Sequence, residues 1–466
     1  MKRAALLFVL GLGLFNYTHA QNLPIIQTKY TADPAPLVHN DTVYLYTSHD
    51  EDNAGGFLMK DWLLYTSTDM VNWTDRGPVA SLKDFKWAGD TSGGSGGFEN
   101  GAWASQCVER NGKFYFYTTV HKTGIGVLVA DTPYGPFKDP IGKPLVKGRH
   151  IDPTVFIDDD GQAYMYWGNP NLWYVKLNDD MISVDGEPRR DPSVVKVKGR
   201  PDPFHYQEGP WAYKRNGKYY MAYASTCCPE GIGYAMSDSP LGPWKYAGSI
   251  MDGDERSSGN HPGIIDYKGK TYCFGFNYTI LRQTMGEKYE RRSVSVAEIK
   301  FNNDGTIQKL PFWEDQKNGV EQLGTLNPYQ RVEAETMAYS EGVKATGMSL
   351  WKRDAVTKKR KKTGEIIYIT SIHNGDFIKV QGVDFSEGSS SIDLRVAVLS
   401  PTTIEIRMDK KDGRMIGKVD LANSGEGDIW KTVTAPVKNI KGVHDLYFVF
   451  KGDKELLNFD WWKFTR

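Results

Sequence analysis

NGKYYMA, residues 216–222, joins a two-residue Asn-Gly turn to an alternating strand that is rich in tyrosine. Asn and Gly accept the positive φ angles that tight β-hairpin turns require. The stretch is one copy of an internal repeat, and the repeat decides the fold. The other copies are NDTVYLY (40–46), NGKFYFY (111–117), DGQAYMY (160–166) and KGKTYCF (268–274).

The first tyrosine of each copy gives the length of the repeat. These tyrosines are Tyr44, Tyr115, Tyr164, Tyr220 and Tyr272, so successive copies are 71, 49, 56 and 52 residues apart. Such lengths suit a four-stranded antiparallel sheet that is repeated five times. The sequence therefore predicts an all-β fold with a five-bladed β-propeller, whose innermost strands line a central channel. A β-sandwich would give shorter and less uniform spacing.

A count of 11 or 12 residues back from each of these tyrosines reaches the start of the preceding strand. The five equivalent positions are Asp33, Trp103, Asp152, Glu208 and His261. Core-facing positions are usually apolar, so three acids among five such positions are not expected by chance. Proline follows each acid, either at once or after one glycine. Because proline is tolerated at strand starts and edges, we expect the acids to lie at strand entrances that face the channel.

Carboxyl groups in one channel have an obvious chemical use. Two of them can hydrolyse a glycosidic bond when one donates a proton to the leaving oxygen and the other activates water or attacks the carbon. The donor must stay protonated near neutral pH, which burial or a nearby negative charge achieves, whereas the base must stay ionised. A third acid can keep the pKa of the donor high and orient it.

The three acids in their motifs, Asp33 in ADPAP, Asp152 in HIDPTVF and Glu208 in QEGPW, resemble those of glycoside hydrolase family 43. The resemblance covers roughly residues 25–315. It implies an inverting enzyme in which Asp33 is the general base, Glu208 is the general acid and Asp152 tunes and orients Glu208. The alternatives are an inactive sugar-binding propeller and acids that merely pair with Arg or Lys.

Three further residues are candidates for substrate binding. Trp103 in NGAWASQ would offer an apolar face to a sugar ring, or would pack into the channel wall. His261 in GNHPG matches the position where the family often places a channel histidine near a bound ion or water, although a lone histidine is often a core residue. Arg292 in RRSVSVAEI reaches the channel from the closing strand, or is a surface charge.

The sequence pattern changes after residue 318. Residues 319–329 predict a linker, and residues 330–466 contain short alternating strands that predict a jelly-roll-like β-sandwich. The segments RVEAETMAYSEGV, IHNGDFIKV and NFDWWKF together resemble carbohydrate-binding module family 6. The propeller domain would then span residues 21–318.

The C-terminal module is a candidate for a structural Ca²⁺ site. Side chains alternate along a strand, so Glu333 and Glu335 in EAE would lie on one face, and paired carboxylates suit Ca²⁺. The family pattern adds Asp460 as a further ligand. A pair of solvated surface acids is the alternative.

The resemblance departs from the family at the main sugar cleft. Ser371 and Gly427 stand where the family places two stacking aromatic residues, although Asn458 stands at the place of a binding asparagine. We therefore do not expect sugar capture at this cleft. The module would instead buttress the propeller or use another surface.

The bulk composition limits the partners and the compartment. Lys plus Arg and Asp plus Glu both number 57, so the net charge gives no reason to expect a nucleic acid or a membrane as partner. Residues 1–20, MKRAALLFVLGLGLFNYTHA, predict a signal peptide and hence a secreted or periplasmic protein. Four cysteines are too few for a disulfide framework, so we expect Cys107 and Cys273 to be buried thiols. Cys227 and Cys228 are free or form a vicinal bridge.

These observations predict a secreted, monomeric, exo-acting glycoside hydrolase that inverts configuration and acts on plant cell-wall polysaccharides or oligosaccharides. The resemblance favours an α-L-arabinofuranosidase first and a β-xylosidase second. Structural Ca²⁺ in the C-terminal module, and an ion near His261, are the cofactors expected. A sugar-binding propeller without turnover is the alternative from another functional class.

Overall fold

The computed structural model describes residues 24–90, 94, 96–194, 202–284, 290–353, 359–423 and 429–466. The expected signal peptide and Gly427 lie outside these residues. The described chain is almost entirely β-structure, which confirms the predicted all-β class. No helix within these ranges is long and apolar enough to cross a membrane.

Five antiparallel sheets follow one another along residues 30–299. The first four are built from β1 (Tyr30–His39), β2 (Thr42–Asp50), β3 (Asp61–Ser67) and β4 (Trp73–Ser81); β5 (Ala102–Arg110), β6 (Lys113–Val120), β7 (Gly124–Ala130) and β8 (Val146–Lys147); β9 (Thr154–Ile157), β10 (Ala163–Trp167), β11 (Trp173–Leu177) and β12 (Val184–Arg190); and β13 (Tyr206–Arg215), β14 (Lys218–Ser225), β15 (Gly231–Ser237) and β16 (Lys245–Met251). The fifth contains β17 (Gly263–Tyr267), β18 (Lys270–Asn277) and β19 (Ser293–Ile299), with the short helix α1 (Thr279–Thr284) before β19.

The first strand of each sheet contacts the first strand of the next, and β17 returns to contact β1. The tyrosine-rich repeat strands are β2, β6, β10, β14 and β18, each second in its sheet. Short 3₁₀ helices occur at Leu82–Asp84, Lys86–Gly89 and Trp313–Asp315. The ring of first strands therefore brings the five sheets around one centre.

Among the residues that the structure describes, the fifth sheet has three strands where the repeat predicted four. The chain after β19 turns away from its own sheet, because Leu310 forms a parallel bridge with Met251 at the end of β16. Tyr220 and Tyr234 of the fourth sheet also bind this segment, through the carbonyl of Gly305 and the N–H of Ile307.

Residues 332–465 form two further sheets and one strand of the first sheet. The strands are β20 (Val332–Glu333), β21 (Thr336–Met337), β22 (Tyr339–Glu341), β23 (Lys344–Arg353), β24 (Arg360–Thr370), β25 (Phe377–Asp384), β26 (Ser391–Val398), β27 (Thr402–Met408), β28 (Met415–Leu421), β29 (Lys431–Pro436), β30 (Val443–Lys451) and β31 (Leu457–Thr465). One sheet has the order β23-β24-β31-β26-β29 with β20 on β31, and the other has the order β22-β25-β30-β27-β28. Alternate side chains from both sheets, such as Leu394, Ile404, Phe448 and Trp462, share one apolar core.

The C-terminal part is attached directly to the first sheet. β21 pairs with β4, and the hydroxyls of Thr74 and Thr336 hydrogen-bond at 2.8 Å. The side-chain amide of Asn72 binds both the N–H and the C=O of Gln381, each at 2.9 Å. Residues 319–329, predicted as a linker, contact both the five-sheet part and the C-terminal part of the chain. Leu323 packs on the first and fifth sheets, and Leu326 forms a parallel β-bridge with Val383.

Candidate active site

The starts of the five first strands open into one cavity of about 280 Å³. Its lining includes every residue that the sequence assigned to the channel. These residues are Asp33, Trp103, Asp152, Glu208, His261 and Arg292. Their side chains come from all five sheets, so the repeat spacing gathers them in space.

Irregular strand pairing presents these side chains to the cavity. The β1–β2 register shifts between Ala32 and Ala35, so Asp33 lies in a bulge, and Trp103 and Glu208 lie at similar shifts in β5 and β13. Bulges re-aim side chains and are frequent near active sites. Asp33 and Asp152 also have positive φ angles of 49° and 62°, a conformation that costs energy for any residue with a Cβ. The surrounding sheets hold both acids in this conformation.

A buried ion-pair network adjoins the cavity. Nη1 of Arg292 donates to Oδ1 of Asp33 at 3.0 Å, while Nη2 and Nε donate to the two oxygens of Asp50 at 2.8 and 2.9 Å. All three residues are buried. The guanidinium therefore compensates the negative charge of both carboxylates. Of the interpretations left open for Arg292, the structure places it in the channel.

Asp152 lines the cavity and is largely buried. Burial raises the pKa of its carboxyl well above the usual range, and the negative charges of Glu208 and Asp33 raise it further. The N–H of Gly209 donates to Oδ2 of Asp152 at 3.1 Å, which opposes these effects. Since Gly209 directly follows Glu208, this hydrogen bond ties Asp152 to the backbone that carries Glu208.

The pKa of Glu208 is set by a different group of neighbouring residues. Burial raises the pKa of its carboxyl, and the charge of Asp33 adds to the increase. The side-chain amide of Asn169 donates to Oε2 of Glu208, and this hydrogen bond and the charge of Arg292 both lower the pKa. The net direction is upward, so the proton is held to a higher pH than on an exposed glutamate.

Aromatic rings form one wall of the cavity. Trp103 stacks on His121 with ring centroids 3.6 Å apart and an angle of 17° between the rings. Burial, together with the charges of Lys122 and Arg149, lowers the pKa of His121 to about 4. Phe57 lies 6.0 Å from Trp103 between ring centroids and is 46% exposed, so one apolar ring remains open to a bound molecule.

His261 lies between Asp33 and the backbone of Gly209. Its Nδ1 is 3.7 Å from Oδ1 of Asp33, and its ring lies so close to Gly209 that a Cβ there would come within 2.8 Å of Nδ1. Burial lowers the pKa of His261, the charge of Asp33 raises it and that of Arg292 lowers it. The net direction is downward, which favours a neutral ring.

The repeat did not identify several residues of the site. Asp50 ends β2, Phe57 lies in the loop between β2 and β3, Asn169 follows β10, and Asn260 precedes His261. Asp50, Phe57 and Asn169 lie outside the position 11 or 12 residues before a repeat tyrosine, whereas Asn260 lies 12 residues before Tyr272, next to His261. Asp50 and Asn169 are polar residues at or just after the C-terminal ends of repeat strands, and this position is the sequence signal that identifies them.

The acids predicted to bind Ca²⁺ lie in the C-terminal part. EAE is not one strand, since β20 ends at Glu333 and β21 begins at Thr336, so the two glutamates do not share a strand face. Chain pairing changes here from β31 to β4. Glu333 pairs with Arg331 at 2.7 Å, and Asp460 pairs with Arg395.

Two carboxylate oxygens in this region lack a hydrogen-bond donor within the described chain. They are Oε2 of Glu335 and Oδ1 of Asp460, and both are buried. Burial raises the pKa of Glu335 well above its usual range, and the charges of Glu333, Asp75 and Asp460 raise it further. Glu335 and Asp75 also line a cavity of about 10 Å³, room for one small molecule or ion. Nη2 of Arg331 lies 3.6 Å from Oδ1 of Asp460, so Oε2 of Glu335 is the oxygen left uncompensated within the described chain, and such an oxygen fits a hard cation.

Two of the four cysteines form a disulfide, and the other two are free thiols. Cys227 and Cys228 form a vicinal disulfide, and Cys107 and Cys273 are buried and free. Burial raises the pKa of each free thiol to about 12.

A cavity that combines convergent carboxyl groups with an aromatic wall, inside a ring of β-sheets, defines a carbohydrate-cleaving enzyme of the glycoside hydrolase class. The chain matches the model of Glycosyl hydrolases family 43 over residues 21–307 and that of Carbohydrate binding module (family 6) over residues 333–466. The chain belongs to glycosyl hydrolase family 43 and carries a family 6 module, as the sequence predicted. The fold of this family is a β-propeller.

Several characterised proteins are similar to this chain. Arabinoxylan arabinofuranohydrolase of Bacillus subtilis is 33% identical, over 95% of this chain and 92% of its own length. Beta-xylosidase of Xylanibacter ruminicola is 32% identical, over 61% of this chain and 98% of its own. A crystal structure of the family 43 arabinoxylan arabinofuranohydrolase from Bacillus subtilis, in complex with cellotetraose, has a TM-score of 0.77 and 31% identity, covering 96% of this chain and 98% of that chain.

The ion pair at Arg292 yields a stability prediction. Arg292→Met should lower the free energy of unfolding by about 3–5 kcal/mol, because it leaves two buried carboxylates uncompensated. Chemical denaturation measures the change. Arg256→Met is the matched control, since Arg256 pairs with Asp254 and Asp315 in a partly exposed network, where about 1 kcal/mol is expected. Equal losses in the two variants would contradict the buried-pair account.

Proposed function

We propose that this enzyme is an exo-acting glycosidase that inverts configuration and removes terminal α-L-arabinofuranosyl residues from plant cell-wall polysaccharides or their oligosaccharides. The observation that carries the proposal is the convergence of Asp33, Asp152 and Glu208 on one small cavity with an aromatic wall. A cavity of about 280 Å³ suits one sugar ring better than a polymer segment, which favours attack at chain ends or side chains.

In the proposed mechanism Glu208 is the general acid. Its raised pKa keeps a proton available for the leaving oxygen. Asp33 is the general base that activates water, and its ion pair with Arg292 stabilises the negative charge that this role needs. Asp152 is assigned the role of orienting and tuning Glu208, because it accepts a hydrogen bond from the N–H of Gly209 and is thereby tied to the backbone that carries Glu208. Trp103 and Phe57 provide apolar faces for the sugar, and His261 and Arg292 provide polar contacts.

The choice of sugar follows the relatives. Arabinoxylan arabinofuranohydrolase of Bacillus subtilis aligns with nearly the whole chain, C-terminal module included, whereas Beta-xylosidase of Xylanibacter ruminicola aligns with about three fifths of it. A β-xylosidase is therefore the second candidate. Turnover of 4-nitrophenyl α-L-arabinofuranoside against 4-nitrophenyl β-D-xyloside decides between them, and faster cleavage of the xyloside would overturn the first choice.

The wider architecture completes the proposal. The five sheets are the blades of a five-bladed propeller within residues 21–318, residues 319–329 connect it to the module, and residues 330–466 form a jelly-roll-like β-sandwich. The protein is a monomer that is secreted or periplasmic after removal of a signal peptide at residues 1–20. The module supports the propeller, because β21 and Gln381 bind the first sheet directly.

The roles of the two main acids are separable by the leaving group. Glu208→Gln should lower kcat for a nitrophenyl glycoside by about 10²–10⁴-fold, since general acid catalysis is lost. The loss should be smaller with 2,4-dinitrophenol, which leaves without a proton, whereas the loss in Asp33→Asn should not depend on the leaving group. Steady-state kinetics with both substrates measure this.

Glu255→Gln, at an exposed glutamate, is the control and should retain wild-type rates. Near-normal turnover of Glu208→Gln would remove Glu208 from the acid role. A leaving-group dependence in Asp33→Asn instead would reverse the assignment.

The hydrogen bond from Asn169 sets the pH range of the proposed acid. It favours ionised Glu208, so Asn169→Ala should raise the pKa of Glu208 and move the basic limb of the kcat/KM profile to higher pH by about one unit. The profile is measured on an aryl glycoside, with Asn303→Ala, an exposed site, as the control. A basic limb that stays in place or moves to lower pH would contradict the assignment.

We also propose a structural Ca²⁺ ion at Glu335, Asp460 and Glu333, supported by the buried Oε2 of Glu335, which lacks a hydrogen-bond donor within the described chain. The bound ion would neutralise buried negative charge in the module. An ion near His261 is a second proposal, which metal analysis of the purified enzyme would test.

Removal of Ca²⁺ should therefore destabilise the protein. EDTA should lower the Tm by roughly 5 °C or more, and Ca²⁺ at about a hundred times its Kd should restore it, because only the folded state holds the ligands together. Glu335→Gln should remove this response. Identical Tm values in EDTA and in Ca²⁺ would reject the site.

A further inference from the structure

A fourth carboxyl group lies beside the three acids of the cavity. Glu230, the residue before β15, is only 5% exposed and does not line the cavity. Burial raises its pKa to about 8, and the charge of Glu208 is the next largest cause. The mechanism proposed above gives this buried acid no role.

Glu230 anchors the segment that leads into β17. Its Oε2 accepts a hydrogen bond from the N–H of Asn260 at 3.1 Å, and its own N–H donates to the carbonyl of Ser258 at 3.2 Å. Ser257 adds a local hydrogen bond from its hydroxyl to the carbonyl of Gly259. The start of β15 therefore fixes the backbone of residues 258–260.

Asn260 transmits this anchoring to the cavity. It is 2% exposed, and its Oδ1 accepts the N–H of His261 at 3.1 Å and the N–H of Phe276 at 3.3 Å. Gly275 leaves the necessary space, since a Cβ at that position would lie 2.5 Å from Oδ1. The orientation of Asn260 thus determines where the backbone of His261 lies.

His261 has little freedom once its backbone is fixed. Its ring lies against Gly209, the residue after Glu208, and its Nδ1 is 3.7 Å from the carboxylate of Asp33. A displacement of His261 would change the spacing between the proposed base and the backbone of the proposed acid. Small errors in such spacing lower the rate of the chemical step.

We propose that Glu230 is a positioning residue, which acts through Asn260 to hold His261 between Asp33 and Gly209, the residue after Glu208. This inference rests on the proposed hydrolytic function and assigns a further residue to it. The anchoring needs a hydrogen-bond acceptor at the position of Oε2. Glutamine supplies one at nearly the same place, whereas alanine does not, and aspartate is too short by one methylene.

The test compares Glu230→Gln, Glu230→Asp and Glu230→Ala with the wild type on the aryl glycoside that the wild type cleaves. Glu230→Gln should keep kcat within about threefold, whereas Glu230→Ala and Glu230→Asp should lose about tenfold or more in kcat with KM little changed, the effect of one lost buried hydrogen bond. Thermal unfolding checks that each variant is folded. If Glu230→Ala does not fold, the comparison of kcat between Glu230→Gln and Glu230→Asp tests the proposal in the same way.

A double-mutant cycle with His261→Ala separates positioning from a general loss of structure. If Glu230 acts through His261, Glu230→Ala should cost little further kcat in the His261→Ala background. Independent effects that multiply, or equal losses in Glu230→Gln and Glu230→Ala, would overturn the proposal. Wild-type turnover reports on the proposed function, and the ratios of variants to wild type report on Glu230.

Discussion

The buried pairing of Arg292 with Asp33 and Asp50 is the interaction on which the active cavity depends. Several carboxyl groups converge on about 280 Å³, and each would be costly to bury as an isolated charge. Arg292 directly precedes β19, and its guanidinium binds Asp33 in β1 and Asp50 at the end of β2. It therefore joins the last sheet to the first and supplies positive charge where the acids meet.

The remaining acids differ because their neighbours differ. Glu208 receives an amide hydrogen bond from Asn169, Asp152 receives a backbone N–H, and Glu230 lies behind the cavity wall. For Asp152, Glu208 and Glu230, burial is the largest cause of a raised pKa. A glycosidase needs carboxyl groups that differ in pKa, since one carboxyl must give up a proton while another accepts one. Strand bulges and positive φ angles are the backbone cost of presenting these groups.

The sequence predicted the features that follow from periodicity. Repeated tyrosines located the strands, and a fixed offset from them located Asp33, Trp103, Asp152, Glu208 and His261. Residues outside that offset, such as Asn169 and Glu230, were missed because they reach the site from loops whose course periodicity does not describe. The EAE segment was misjudged for a related reason, because a strand exchange from β31 to β4 interrupts the alternation that the sequence suggests.

In the proposed mechanism Asp33 and Glu208 act on opposite sides of one glycosidic bond, with water as the attacking group. The most direct test is ¹H NMR of the sugar released from 4-nitrophenyl α-L-arabinofuranoside, recorded before mutarotation. The β-anomer should appear first, because water attacks the face opposite the leaving group. Initial formation of the α-anomer would contradict it, since retention requires a carboxylate that attacks the sugar itself.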